Sequence, residues 1–304
     1  MEIDNTTLTD LAIMNVEDEF SIFSKLDFCK TVPGRSRMYD NFNTPLSSIS
    51  EIEAIQNTLK AIIKDEHFWP TQISNGSIMV VQKFYQATID EIPSNPSSAG
   101  AYSYKLFHGP DFHLVKYSVQ HAFDFIKGMQ WMIMHFLSDD KPAPFKNLLL
   151  RAKAIIDKEQ FSIIEKNEKS SLLTLGQQLH LAHFIRYNYK QNMLDLLDIY
   201  FQLDAWYGMA MAVKQYGLVF PNFVPGDQPV IKAAGLYHLL LEKPVSYDIV
   251  LSPESNFIFL TGANMAGKST FIKSVGAAVF LAHIGMGVPS KQLELSLFDG
   301  LLSN

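Results

Sequence analysis

Residues 262–269 read Gly262-Ala263-Asn264-Met265-Ala266-Gly267-Lys268-Ser269 and fit the phosphate-loop pattern G-x-x-x-x-G-K-[ST]. Glycines in such a loop let the backbone wrap closely around a phosphate, so that successive amides point at its oxygens. Lys268 is expected to neutralise the β- and γ-phosphates, and the hydroxyl of Ser269 to bind Mg²⁺. Thr270 is expected to begin the following helix, with its hydroxyl near the α-phosphate. The sequence therefore predicts that residues 262–270 bind a nucleoside triphosphate with Mg²⁺.

The residues on either side of this loop fit the same interpretation. Phe257-Ile258-Phe259-Leu260 is an apolar run without alternation, which predicts a strand buried on both faces of a parallel sheet. Residues 270–275 predict a helix directly after the loop. A strand, a phosphate loop and a helix in this order indicate the start of an α/β nucleotide-binding domain, which we assign to residues 226–304.

A helix is predicted to start near Ser50. Ser50 and Glu53 stand in the S-x-x-E relation, in which each side chain can satisfy a free backbone amide of the first turn. The apolar residues that follow at three- and four-residue steps, and therefore share one helical face, are Ile52, Ile55, Leu59 and Ile62.

The rest of the sequence before residue 226 is also predicted to be mainly helical. Helices are expected over 112–138 and 147–166, and 173–217 predicts one very long helix or two, with Gly208 as a soft point. Residues 91–109 carry prolines, glycines and serines and predict a loop. We therefore expect an irregular or partly helical lead-in at residues 1–33 and a helical domain at residues 34–225.

The composition of the 304 residues excludes several classes of protein. Hydrophobic residues make up 47% and charged residues 18%, which excludes a disordered chain. The net charge of −6 argues against a protein that coats nucleic acid by bulk electrostatics, although a local basic patch is compatible with it. The single cysteine, Cys29, excludes an internal disulfide framework and fits a reducing cytoplasm. The longest uncharged apolar stretch, residues 275–290, is too short to span a bilayer, so no membrane partner is expected.

The loop and three other stretches resemble the MutS DNA mismatch repair family. Residues 261–270 resemble the phosphate loop of that family, T-G-P-N-M-G-G-K-S-T, and the Asn-Met pair inside it is far more specific than the general pattern. The other stretches are Gly34-Arg35 with Pro45-Leu46 and 49–56, then Leu203-Asp204 with Met209-Ala210 and 220–223, and finally 288–290 with 298–300. They occur in family order and, with the loop, cover about residues 34–304.

This resemblance implies a mainly α fold, in which a helical core with long lever helices is followed by the start of a phosphate-loop α/β ATPase domain. It implies that the intact protein binds ATP and Mg²⁺ and hydrolyses ATP in a way coupled to DNA. It also implies a homodimer, because the two ATP sites of the family form at a subunit interface. Residues 262–270 are the nucleotide ligands under this interpretation, and Ser269 is the Mg²⁺ ligand.

The sequence also departs from the family pattern. Ala263 and Ala266 stand where the family has proline and glycine. The family's mismatch-reading and connector domains are not matched, and the short stretch before the loop predicts a reduced or missing DNA-gripping clamp. The sequence stops before the acidic pair that binds Mg²⁺ in the family. We therefore expect a fragment cut inside its nucleotide-binding domain, with no complete set of catalytic residues and no ATP turnover.

Several residues allow two interpretations. Asn264 could bond a γ-phosphate oxygen or the attacking water, or it could brace the loop. Tyr247 could stack on a base, although a strand tyrosine more often packs on its sheet. His180 and His183 are spaced to share a metal, but no third ligand at a supporting spacing is visible. The apolar stripe over residues 123–136 is interpreted as helix core, with a partner interface as the alternative.

Two other functions compete with a DNA-coupled ATPase. The first is a nucleotide-regulated helical scaffold that binds a protein partner without direct mismatch recognition. The absence of DNA-reading parts and the acidic charge balance favour it, whereas the family order of the motifs disfavours it. The second is another ATPase of the same broad sheet class, such as a transporter-like or chromosome-maintenance ATPase.

Overall fold

The computed structural model describes residues 1–14, 20–226, 228–263 and 267–303. These residues form a mainly helical protein with two small sheets. Two compact units are formed, the first by Met1–Cys29, Pro33–Lys64 and Asp204–Asn304, and the second by Lys30–Val32 and Asp65–Leu203. In the ranges that the structure describes, none of the helices combines the length and apolar composition needed to cross a membrane. The three-part division that the sequence predicts, with boundaries after residues 33 and 225, stays a prediction.

The amino-terminal part of the first unit belongs to its core. Its elements are β1 (Glu2–Ile3), α1 (Asn5–Asp10), α2 (Ile22–Leu26), α3 (Val32–Phe42) and α4 (Ile49–Lys64). Ile13, Ile22 and Leu26 are fully buried. The backbone N–H of Ser303 donates to Thr7 Oγ1 at 2.9 Å. The predicted lead-in therefore supplies apolar core residues and a contact to the other end of the sequence.

Helix α4 has the predicted inner face, but its cap lies two residues upstream of the predicted one. Ile52, Leu59 and Ile62 are fully buried, as the periodicity predicts. The N–H of Glu51 donates to Ser48 Oγ at 3.3 Å, and that hydroxyl donates to Glu51 Oε2 at 2.9 Å. The S-x-x-E relation occurs twice in this stretch, and the backbone uses the first pair because Ile49 is already helical.

The second unit is helical. Its elements are α5 (Asn75–Phe84), α6 (Ser98–Phe107), α7 (Gly109–Phe136), α8 (Ala143–Ile156), α9 (Ser162–Lys166) and α10 (Leu175–His183), with 3₁₀ turns at Glu66–Phe68, Glu159–Phe161 and Ser170–Leu172. A π-helical turn, Phe184–Asn188, precedes α11 (Lys190–Tyr216), which contributes residues to both units. Phe123, Phe125 and Met129 of α7 are fully buried. The interpretation of this stripe as helix core is therefore confirmed for these residues, whereas Trp131 and Met134 of the same stripe are exposed.

Two helix boundaries in this part of the chain differ from the prediction. Residues 91–109 are not all loop, since they include α6, whose start is capped by Ser97 Oγ accepting the N–H of Gly100 at 3.2 Å. The predicted helix at 147–166 begins earlier and ends at Ile156, and α9 follows after a 3₁₀ turn. Propensity alone missed the serine cap because it lies within a segment rich in turn-forming residues.

The long helical stretch at 173–217 is divided, but not at Gly208. The division occurs at the π-helical turn and at Tyr189, where α11 has not yet begun. Gly208 lies inside α11, where a Cβ would come within 2.6 Å of Cys29 Sγ. The close approach of residue 29 therefore requires glycine here. The prediction of Gly208 as a soft point is wrong.

The carboxyl-terminal part of the first unit contains a mixed sheet. Its elements are β2 (Asn222–Phe223), β3 (Ile231–Leu236), β4 (Tyr247–Leu251), α12 (Lys268–His283), β5 (Gln292–Leu295) and β6 (Gly300–Leu301). The strand order is β2-β5-β3-β4, with β3 antiparallel to both of its neighbours and β2 parallel to β5. Strand β1 pairs in parallel with β6 in a separate two-stranded sheet.

The prediction of a buried strand at Phe257–Leu260 is wrong. These residues form no strand, and Phe257 and Phe259 are 78% and 80% exposed. A strand that is buried on both faces needs hydrogen-bonded neighbours and a covering layer. Within the residues that the structure describes, no strand pairs with this segment. The helix after the loop is observed as α12, whereas the parallel sheet expected before the loop is not.

Candidate phosphate-binding site

The ends of the predicted loop have backbone conformations that suit glycine. Gly262 has φ of 151° and Gly267 has φ of 88°, both in the region that side chains disfavour. Gly267 directly precedes α12 and has no side chain that could bond the amides of the first turn. Asn264, Met265 and Ala266 lie outside the described residues. The described part of the loop therefore leads into the N-terminus of α12, whose first amides receive no hydrogen bond from an N-cap side chain.

Lys268 lies across the loop. Its ammonium group donates to the carbonyl oxygens of Gly262 at 2.5 Å and of Ala263 at 2.8 Å. Carbonyl oxygens carry only partial negative charge, so a phosphate at this position is a stronger partner for the ammonium. In this geometry the ammonium of Lys268 is bonded to two neutral acceptors, which an anion can replace.

The first turn of α12 is accessible. Ser269 is exposed and Thr270 is half-buried. The N–H of Phe271 donates to the carbonyl oxygen of Gly267 at 2.9 Å. The amino-terminal end of a helix carries a partial positive charge, which favours anions. The predicted ligands that the structure describes, Gly262, Ala263, Gly267, Lys268, Ser269 and Thr270, are thus grouped at one helix end, and their role as ligands stays a prediction.

The other end of α12 is buried in the first unit. Phe280 and Leu281 are fully buried, and the ring of Phe280 lies 5.9 Å from that of Phe42. Gly276 faces Leu11, whose Cδ2 would lie 2.7 Å from a Cβ at position 276. The helix is therefore anchored by its second half, while its first turn is presented to solvent.

His283 closes the buried end of the helix. Its Nδ1 lies 2.8 Å from the carbonyl oxygen of Val279, and the N–H of Phe298 donates to its Nε2 at 3.0 Å. The second bond assigns the neutral tautomer, because Nε2 must accept. Burial lowers the pKa of His283, with the amino terminus of the chain adding to the effect.

Tyr247, for which stacking on a base is one of the two interpretations, contacts α12. The hydroxyl of Tyr247 donates to the carbonyl oxygen of Phe271 at 3.1 Å, and the two rings lie 4.7 Å apart. Tyr247 therefore packs on α12, whereas the structural interpretation expects packing on the sheet. Burial lowers the pKa of His238, and the charge of Lys273 on α12 lowers it further.

His180 and His183 bond backbone groups separately. Nδ1 of His180 contacts the carbonyl oxygen of Ser94, and Nδ1 of His183 lies 2.8 Å from that of Ile92. Among the residues that the structure describes, no group of three or more histidine, cysteine, aspartate or glutamate side chains could hold a metal ion.

A cavity beside the loop was not predicted from the sequence. It has a volume of about 650 Å³ and lies between residues 257–260 and α12, with Ile272 and Leu302 among its lining residues. The apolar run at 257–260 is the signal that could have indicated it, since an apolar segment without a covering layer leaves an open apolar face.

Two of the stretches that resemble the MutS family, at residues 34–56 and 203–223, contact each other in the first unit. Gln56 donates from Nε2 to the carbonyl oxygen of Pro221 at 3.1 Å. Gly34 lies directly against Asp204, since a Cβ at position 34 would overlap its carboxylate. These two stretches, far apart in the sequence, are therefore neighbours in the folded protein.

Comparison with known proteins agrees with the resemblance to the MutS family. Residues 258–304 match the family model of MutS domain V. The chain is 30% identical over 152 residues to DNA mismatch repair protein MutS of Petrotoga mobilis, a match that covers 49% of this chain and 17% of that protein. It is 33% identical over 140 residues to MutS of Thermosipho melanesiensis, covering 45% and 16%. It is 32% identical over 120 residues to MutS protein homolog 5 of Caenorhabditis elegans, covering 38% and 9%.

These matches define a MutS-like protein related to DNA mismatch repair proteins. Over the matched stretches the chain is therefore similar to proteins of the MutS family. The matched stretches span between 9% and 17% of the lengths of these three relatives.

Proposed function

We propose that this chain binds ATP with Mg²⁺ through residues 262–270. The observation that carries the proposal is the position of Lys268, whose ammonium bonds two loop carbonyls at the amino-terminal end of α12. The glycine backbone at positions 262 and 267 supports it, because a side chain there would oppose the loop conformation. The exposed hydroxyl of Ser269 is available to bind Mg²⁺. The described residues of the loop therefore fit the triphosphate group of a nucleoside triphosphate.

In the intact protein we propose a MutS-like ATPase whose nucleotide state is coupled to DNA. The names of the bacterial relatives refer to DNA mismatch repair, which supports DNA as the partner. Helix α11 belongs to both units and is our candidate for the lever that links nucleotide and partner. We further propose a homodimer and a cytoplasmic location for the intact protein, as the family resemblance and the single cysteine favour.

Nucleotide binding is tested by calorimetric titration of the chain with Mg²⁺-ATP. Lys268→Ala is expected to weaken binding by at least about tenfold, since it removes a charge-assisted bond to phosphate. Lys153→Ala, a change of the same kind at an exposed position of α8, is the matched control and is expected to bind as the wild type does. Equal affinity in the wild type and in Lys268→Ala, or no heat with either, would overturn the proposal.

The scaffold function is the second candidate, and the surface of α6 favours it. Tyr102, Leu106 and Phe107 are all exposed on this helix of the second unit. Large exposed apolar side chains that are grouped together often mark a protein-binding surface. A DNA titration at two salt concentrations, with and without ATP, separates the candidates. Binding that weakens with salt supports the DNA-coupled function, and no affinity at low salt supports the scaffold.

A further inference from the structure

Strand β3 carries a β-bulge opposite the start of β4. It pairs Ala233 with Ile249 but Leu236 with Tyr247, so β3 has one additional residue between these pairs. Gly235 lies in this irregular stretch with φ of 61°, and its N–H donates to Asp248 Oδ1 at 2.7 Å. Bulges of this kind bend the strand that carries them. Tyr247 is the first residue of β4, and its pairing with Leu236 lies on the other side of the register shift from the pairing of Ile249.

Tyr247 contacts the start of α12 in two ways. Its hydroxyl donates to the carbonyl oxygen of Phe271 at 3.1 Å, and the rings of the two residues lie 4.7 Å apart with 37° between their planes. Phe271 is the residue whose N–H closes the first turn by donating to Gly267. The bond from Tyr247 therefore holds the residue that closes the first turn, through the peptide group that follows it.

A second hydroxyl strengthens this connection. Ser274 Oγ donates to the carbonyl oxygen of Thr270 at 2.6 Å. Burial raises the pKa of Tyr247, while a hydrogen bond with Ser274 acts in the opposite direction. The carbonyls of two successive residues, Thr270 and Phe271, are thus each held by a side-chain hydroxyl.

We infer that Tyr247 is a positioning residue for the nucleotide, holding the first turn of α12 in the conformation that presents Lys268 and Ser269. This inference rests on the proposed ATP binding. The first turn of a helix has few internal hydrogen bonds and frays easily. A contact from the sheet reduces this fraying before the ligand arrives, so less binding free energy is spent on ordering the turn. Tyr247 acts through Phe271 and touches no phosphate.

The test compares Tyr247→Phe with Tyr85→Phe in the 304-residue chain. Tyr85 is the matched control, because its hydroxyl also donates to a backbone carbonyl, that of Ile185, at 3.1 Å, and it lies in the second unit. Each variant loses one hydroxyl and keeps its ring. Two readouts are taken: affinity for Mg²⁺-ATP by calorimetry, and hydrogen exchange of the amides at residues 267–271 without nucleotide.

Tyr247→Phe is expected to weaken Mg²⁺-ATP binding by about three- to tenfold, which corresponds to the loss of one neutral hydrogen bond. It is also expected to speed hydrogen exchange at residues 267–271, whereas Tyr85→Phe changes neither quantity. Tyr247→Leu, which also removes the ring, is expected to exceed Tyr247→Phe in both. Equal effects of Tyr247→Phe and Tyr85→Phe on affinity and exchange would overturn the inference.

The two proposals fail in different ways. If the wild type binds no Mg²⁺-ATP, the proposed function fails, and hydrogen exchange still decides whether Tyr247 holds the turn. If the wild type binds and Lys268→Ala does not, while Tyr247→Phe binds as tightly as the wild type, the nucleotide site stands and the role of Tyr247 is refuted.

Discussion

The two ends of α12 differ in what they do for the protein. At the carboxyl-terminal end Phe280, Leu281 and His283 are fully buried and bond or pack within the first unit. At the amino-terminal end Ser269 is exposed, and Gly267 leaves the first turn without a side-chain cap. The buried end of α12 therefore contributes to stability, and its open end is available for binding a ligand. Substitutions at the buried end should change the free energy of unfolding, and those at the open end should change ligand affinity.

The largest expected effect is at Phe280. Phe280→Ala removes a fully buried ring and should lower the free energy of unfolding by about 3–5 kcal/mol. Phe257→Ala is the matched control, since the same atoms are removed from a side chain that is 78% exposed, and it should cost less than about 1 kcal/mol. Urea unfolding followed by circular dichroism measures both. Similar losses in the two variants would contradict the division of the helix.

The next largest effect is the pH dependence that comes from His283. Its pKa is lowered by burial, so the folded protein takes up a proton less readily than the unfolded chain does. The stability from this group is therefore present above about pH 6.5, the ordinary histidine pKa, and is lost as the pH falls from there toward the folded pKa. The slope for one proton is at most about 1.4 kcal/mol per pH unit.

His283→Gln should flatten this dependence in urea unfolding between about pH 7 and pH 5. His113→Gln, at an exposed position of α7, is the control and should leave the slope as it is in the wild type. Some slope should remain in His283→Gln, because burial also lowers the pKa of His238. An unchanged slope in His283→Gln would show that the buried end of α12 is not the source of the dependence.

A smaller effect is expected where α12 begins. Gly267→Ala places a side chain at φ of 88°, which should cost about 1–2 kcal/mol of stability from backbone strain. Among the residues that the structure describes, no atom lies within 4 Å of the new Cβ, so the expected cost comes from the backbone conformation. Gly109→Ala is the control at the start of α7, also with open space, and should be neutral or stabilising by about 0.5 kcal/mol. Equal effects in urea unfolding would show that the conformation at Gly267 is not strained for alanine.

Prediction from the sequence succeeds where a local pattern determines the result. The spacing of Ile52, Leu59 and Ile62 predicts the buried face of α4, because a helix fixes which residues share a side. The phosphate-loop residues are also identifiable, since the motif is a run of adjacent residues. The role of these residues as nucleotide ligands stays a prediction.

Prediction fails where distant residues decide. The contact of Tyr247 with Phe271 joins β4 to α12, and no local pattern in the sequence contains it. Gly208 is explained only by Cys29, which lies far from it in sequence. The run at 257–260 indicates suitability for burial but cannot supply the strand that would bury it. These are contacts of tertiary structure, and they include the residue that we infer to position the nucleotide turn.

The smallest expected effect is at Ile272, in the first half of α12. Its side chain is 53% exposed at the apolar cavity, so Ile272→Ala should change the free energy of unfolding by less than about 1 kcal/mol. Alanine also has the higher helix propensity, which offsets part of the lost burial. Ile284→Ala, at a buried position directly after the helix, should cost about 2–5 kcal/mol in the same urea measurement. If Ile272→Ala costs as much as Ile284→Ala, the open face of α12 is covered in solution. A loss that grows with protein concentration would then identify a second copy of the chain as the cover, because association makes stability depend on concentration.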